Sequence, residues 1–216
     1  MNSEQLLAYS IKYEGDYASI QRAIHQNEPY HPVKDKGFYF TLCDDIYPDS
    51  LKVLKNPPFV LYYRGNLNLL QSECVSVIGS RNALPYASKW TEIVVKELSK
   101  NYVIVSGLAK GIDGLAHEVA LEFGSTIAIL GCGIDVIYPI CNKDLYHKIM
   151  KNGLILSEYP GKTEVRKHQF VMRNRIIAGL GQSLFVMQSN LKSGSMITVN
   201  VALDCGKDVT CLPFNC

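Results

Sequence analysis

The sequence predicts an α/β fold built on a doubly wound, mostly parallel sheet, with a small helical cap at the N-terminus. Two patterns carry this reading. Short apolar runs rich in branched residues recur at 75–78, 102–105, 126–130, 154–156, 183–187 and 208–212, the signature of strands covered on both faces. Helical patterns lie between them at about 86–100, 113–123, 143–152, 170–179 and 195–205, each entered through Gly, Pro, Asp, Asn or Ser. Right-handed crossovers then put helices on both faces and gather the loops that follow the strands along one carboxyl edge, where a ligand should lie.

The first forty residues read differently. Leu6, Leu7 and Ile11 have helical spacing, as do Ala18, Ile20, Ala23 and Ile24, until the stretch 25–32 breaks the pattern with two prolines. Residues 1–40 are therefore expected to form a helical cap and linker, and 41–216 the main domain. Within the transition, 38–42 is a short strand candidate and 47–51 opens a turn or short helix. Asn56-Pro-Pro58 forces an extended passage into 59–63, read as an edge strand.

With 216 residues and 47% hydrophobic content, the chain can bury a substantial core. Its formal net charge of +2 advertises no global basic field, so an anion site has to come from local clustering. Seven scattered cysteines without Cys-x-x-Cys or paired histidines argue against a disulfide framework and against a metal centre. Neither a basic leader nor a membrane-length apolar run is present, and the expected location is cytoplasmic.

Three turns carry chemistry. Gln188-Ser-Asn-Leu-Lys-Ser-Gly-Ser-Met-Ile-Thr198 sets Lys192, Ser193, Gly194 and Ser195 between a strand and a helix. Glycine allows close backbone approach, the first helical N–H groups lack partners, and the lysine adds positive charge. Gly79-Ser-Arg81 and Ser106-Gly-Leu-Ala-Lys-Gly-Ile-Asp113 repeat the theme after earlier strands, so the expected ligand is large and anionic. Gly-x-Gly-x-x-Gly and Gly-x-x-x-x-Gly-Lys-Ser/Thr are both missing, which disfavours a dinucleotide enzyme and a P-loop hydrolase; no cofactor is expected.

The run 162–175 concentrates Lys162, Arg166, Lys167, Arg173 and Arg175 against Glu164, with Phe170 among them. Cations interleaved with an aromatic suit a single strand, whose phosphates pair while a base stacks. Plainer readings stand beside this one. Arg173 and Arg175 could bridge surface carboxylates, Phe170 could be core, Asp113 and Ser195 could cap helices, and Gly131-Cys-Gly133 could be a tight turn with a buried thiol. Asp113, His117 and Glu158 could also assemble an acid–base constellation at the sheet edge.

Gly79-Ser-Arg81, the segment from Val105 to Asp113 with His117, Ser157-Glu-Tyr-Pro160, the segment from Phe170 to Leu180, and Lys192-Ser-Gly-Ser-Met-Ile-Thr198 resemble the successive signatures of the DprA/Smf family, DNA-processing protein A. The likeness runs from about Tyr47 to Pro213. It implies an extended Rossmann-like domain, not an enzyme, that binds single-stranded DNA, usually as a homodimer. Such a protein protects incoming DNA and helps load RecA recombinase in natural transformation. It further implies strand contacts from Arg81, Lys167, Phe170 and Lys192, close backbone or hydroxyl contacts from Gly79, Ser80, Ser106, Gly107, Ser193, Gly194 and Ser195, and a turn shaped by Gly111. Against the family pattern the chain is C-terminally short, which leaves pairing and RecA contacts open. Two alternatives are a phosphoribohydrolase-like nucleotide-binding enzyme of similar fold and a non-catalytic nucleotide-sensing module.

Overall fold

The computed structural model describes residues 1–34, 37–190 and 193–213. Among these residues eight strands form one sheet: β1 (Tyr39–Thr41), β2 (Val60–Gly65), β3 (Cys74–Gly79), β4 (Val103–Ser106), β5 (Thr126–Gly133), β6 (Leu154–Tyr159), β7 (Ser183–Gln188) and β8 (Asp208–Cys211). Their order is β1-β2-β6-β5-β4-β3-β7-β8. The six strands from β3 onward run parallel, while β2 pairs antiparallel with both β1 and β6. The segment expected at the sheet edge is thus internal, because β1 covers its outer side.

The helices are α1 (Ser3–Lys12), α2 (Tyr17–His25), α3 (Asp49–Lys52), α4 (Pro85–Leu98), α5 (Ile112–Phe123), α6 (Lys143–Asn152), α7 (Lys167–Leu180) and α8 (Gly194–Asp204). They cover both faces, because alternate side chains along each buried strand point to opposite sides. On one face, Ile176, Ile177 and Leu180 of α7 and Val199 and Ala202 of α8 pack with Ile78, Val105, Ile129 and Val186. On the other, α4 and α5 pack against Val75, Val77 and Ile104. The neighbouring part of that face joins α1, α2 and α6 to Val60, Leu130 and Ile155, so the N-terminal helices share a core with the sheet. Among the described residues no helix is long and apolar enough to cross a membrane.

The order in which strands are added reverses at β3: from β3 the connections step outward through β4, β5 and β6, then return to place β7 on its other side. Loops on either side of such a switch point diverge and leave a crevice outside the carboxyl ends of the strands. Local chemistry sets the helix starts around it. Pro85 occupies the first turn of α4, where its missing N–H removes no bond. Gly111 enters α5 at φ 77°, and a side chain there would strike the Ser80 carbonyl at 2.3 Å. The Gln169 side chain accepts the Arg166 N–H at 2.7 Å to start α7. Asp113 and Ser195 are the second residues of their helices, whose cap positions are taken by Gly111 and Ser193, so the alternative reading of them as caps does not hold.

Candidate functional site

The crevice at the switch point is a cleft of about 530 Å3. The loop after β3 contributes Gly79, Ser80 and Arg81, α7 contributes Lys167, Phe170 and Arg173, and the start of α8 contributes Ser193, Gly194 and Ser195. Nine of the residues expected to bind the strand thus meet on one surface, brought there from three separate segments. Lys192 lies outside the described residues.

Hydrogen bonds tie the segments together. The Leu84 N–H donates to the Gln188 side chain at 2.9 Å, linking the end of β7 to the Arg81 loop. The Asn174 amide donates to the Gly194 carbonyl at 3.2 Å, linking α7 to the start of α8. Ile112 donates its N–H to the Ser80 carbonyl at 3.1 Å, and the Asn142 amide donates to the carbonyls of Leu108 and Ala109 at 3.1 Å each. The last pair matters because Leu108 holds the left-handed backbone at φ 55°, which a branched residue adopts only under outside constraint.

An aromatic and cationic cluster forms the mouth. The Arg81 guanidinium lies 5.9 Å from the Phe170 ring centroid, and the Tyr138 ring lies 5.5 Å from it at 47°. Phe170 is half-buried, and Arg81 and Tyr138 are exposed. Phe170 can lie flat here because position 131 is glycine; a Cβ there would approach the ring at 2.7 Å. Tyr138 carried no motif in the sequence, and only folding sets its ring beside Phe170.

Other expected contacts go elsewhere. The Ser106 hydroxyl is buried and donates to the Val77 carbonyl at 2.6 Å. Gly107 is buried beneath Arg173 and Asp113. Arg175 is buried in a two-pronged pair with Glu158, at 2.9 and 2.5 Å, and its Nε donates to the Asn56 carbonyl at 2.7 Å. Lys162 and Arg166 line a different depression, where Arg166 pairs with Glu14 at 3.0 Å. The basic run therefore splits three ways: Lys167 and Arg173 face the cleft, Arg175 turns inward, and Lys162 and Arg166 face away.

Asp113, His117 and Glu158 are each engaged by other partners. His117 is fully buried with Nδ1 2.6 Å from the Thr126 hydroxyl, and burial, aided by the positive charge of Arg173, pushes its pKa down to about 3. Glu158 is consumed by Arg175. Burial raises the pKa of Asp113, against the pull of Arg173 and of the backbone N–H groups of Gly79, Ala109 and Gly107. Cys132 is a buried thiol whose pKa burial raises to about 11, in keeping with a packing role.

The family model for DNA recombination-mediator protein A matches residues 38–216. The chain belongs to this family. DNA processing protein DprA of Streptococcus pneumoniae is 46% identical over 176 residues, covering 81% of this chain and 62% of the relative. Its counterpart in Bacillus subtilis is 40% identical over 170 residues, covering 77% and 57%. The chain thus spans less than two thirds of the length of these family members. The solved Streptococcus pneumoniae structure aligns over 99% of this chain and 83% of its own with a TM-score of 0.82 at 35% identity. That of DNA processing protein A from Helicobacter pylori, described for its single-stranded DNA binding mode, aligns over 83% and 82% with a TM-score of 0.76 at 38% identity.

Proposed function

We propose that the chain binds single-stranded DNA along the cleft, without a sequence code and without chemical turnover of the strand. The observation that carries this reading is the half-buried Phe170 ring flanked by Arg81 and Tyr138 at the mouth of a groove whose far wall is the start of a helix. Phosphates would be met by Arg81, Lys167, the hydroxyls of Ser80, Ser193 and Ser195, and the N–H groups at the start of α8, with Gly79 and Gly194 allowing close approach. Lys192 belongs to the same loop and is proposed as a further cation. A base would stack on Phe170, which a duplex would prevent by keeping its bases inside. Ser106, Gly107, Gly111, Arg173 and Arg175 support the loops instead of contacting the strand.

Membership of a recombination-mediator family and the Helicobacter pylori relative support the wider reading. In it the protein acts in the cytoplasm, pairs as a homodimer, protects incoming strands and helps load RecA during natural transformation. Sedimentation would test the pairing, and RecA filament formation on strands coated with single-strand-binding protein would test the loading.

The deciding experiment titrates a labelled thymine oligomer, a duplex of matching length and a nucleoside monophosphate at one salt concentration, without magnesium. The single strand should bind tightest, with no ATP hydrolysis and no nuclease activity. Equal or tighter binding of the duplex would overturn the reading, and release of free base from the monophosphate would replace it with the enzyme alternative.

A further inference from the structure

The floor of the cleft holds a carboxylate, which is the wrong charge for an anion site. Asp113 is 7% exposed and Arg173 4% exposed. Arg173 uses Nη1 on the carbonyls of Gly107, at 2.5 Å, and of Ile129. The N–H groups of Gly79, Ala109 and Gly107 lie close enough to the Asp113 carboxylate to pull its pKa down against burial. Both side chains close on one point above Gly107: a Cβ there would lie 2.5 Å from Arg173 Nη1 and 2.6 Å from Asp113 Oδ2. Gly79 ends β3, Gly107 and Ala109 follow β4, and Ile129 lies in the middle of β5, so two opposite charges tie the carboxyl ends of two strands to the body of a third.

We propose that Asp113 and Arg173 are positioning residues, a buried clasp that sets the spacing of the loops after β3 and β4 relative to β5, and that neither is a ligand of the strand. The proposal rests on the reading of the cleft as a single-strand site. Phosphate contact through Nη1 would require Arg173 to abandon carbonyls that then stay buried without a donor. Asp113, left as a bare charge, would repel every phosphate in the groove; its tolerance there follows from the donors it gathers. Gly79 is the strand residue from which the Arg81 loop leaves, so the clasp fixes the height of that cation at the mouth.

The two roles predict opposite outcomes. Removing a mere negative charge by Asp113→Asn would strengthen binding of a thymine oligomer, whereas loosening the clasp weakens it by about tenfold or more, the equivalent of one charge-assisted hydrogen bond. Arg173→Gln should weaken binding in the wild type but change neither affinity nor salt slope much further in an Arg81→Ala background, while loss of a phosphate ligand would lower the slope by about 0.7 in both backgrounds. The loss from Asp113→Asn should also shrink in an Arg81→Ala background, since both act through one loop, and general destabilisation would show no such coupling. Should either variant fail to fold, Arg173→Lys decides: it keeps the charge, so a phosphate ligand would bind near wild-type and a broken clasp would not.

Without DNA, hydrogen exchange at the amides of Gly79, Gly107 and Ala109 should quicken in Asp113→Asn while the core strands stay protected. Tighter or unchanged binding by Asp113→Asn, a slope that Arg173→Gln lowers by about 0.7 even in the Arg81→Ala background, or unchanged exchange at those amides overturns the clasp. A wild-type protein that ignores the oligomer overturns the single-strand reading instead, and the exchange measurement still decides the clasp.

Discussion

The Arg81 guanidinium and the Phe170 ring, 89 positions apart in the chain and 5.9 Å apart in space, join the loop after β3 to the first turns of α7 at the mouth of the cleft. A guanidinium at that distance is attracted by the electron-rich ring face, so each side chain restrains the other before any strand arrives. Phe170→Ala should weaken single-strand binding by about 1–3 kcal/mol, the range for a stacked base, with the salt slope preserved. Phe170→Tyr should retain most of the affinity. If the alanine variant binds as wild type in a fluorescence titration, no base stacks on this ring.

Gly131→Ala tests the same stack from below. Its new Cβ would press on the Phe170 ring at 2.7 Å, and the ring can yield only by leaving its position beside Arg81 and Tyr138. Affinity should fall toward that of Phe170→Ala, and the double variant should lose little more than either single one. Fully additive losses would separate Gly131 from the stack.

Arg81 itself is exposed, and its removal leaves the core untouched. Arg81→Ala should weaken binding to every sequence alike and reduce the salt slope by about 0.7 for a single strand. Circular dichroism and melting should match wild type. An unchanged slope would mean that Arg81 orders Phe170 without meeting a phosphate.

The sheet and its helices were legible because their signals are local: branched apolar runs of strand length, helical spacing between them, and glycines where backbone must pass close to backbone. The Gly79-Ser-Arg81 and Ser193-Gly-Ser195 turns could be assigned to one edge for the same reason. Strand order could not. The usual doubly wound order sets the fourth and fifth core strands on one side of the first, whereas here β6 and β7 lie on opposite sides of β3, with β7 its immediate neighbour. That neighbour relation still brings Arg81 and the α8 loop to one groove. The fates of the basic residues in α7 were equally hidden. Arg173 and Arg175 look alike in sequence, but a helix turns about 100° per residue, so two positions point them to well-separated directions. One meets the cleft floor and the other Glu158. Tyr138 joined the site without any pattern to announce it.

The Glu158–Arg175 pair should prove a stability element. Both side chains are buried, and Arg175 also donates to the carbonyls of Asn56 and Met172 while its guanidinium lies 5.6 Å from the Tyr17 ring centroid of α2. Glu158→Gln leaves that guanidinium without its counter-charge, a loss of about 3–5 kcal/mol. Thermal melting should drop accordingly while the salt slope of strand binding stays put. A melting temperature within a degree or so of wild type would show that the pair is not needed.

Acid stability should depend on His117. Its folded pKa is about 3 against an ordinary value of 6.5, so the native state keeps the ring neutral where the unfolded chain takes up a proton. Below pH 6.5 the unfolded state therefore binds more protons, and each pH unit down toward 3 removes about 1.4 kcal/mol of stability. Above pH 6.5 the ring is neutral in both states and contributes no slope. For a chain of this size that loss lowers the melting temperature by roughly 3–6 °C per unit. His117→Leu removes the titrating group while keeping a comparable volume, and the Thr126 hydroxyl retains its bond to the Ile104 carbonyl at 2.7 Å. The variant should melt less steeply with falling pH between 6.5 and 4 than wild type, with the two curves differing by a constant offset above pH 7. Parallel curves across the acid range would show that another group takes up the protons.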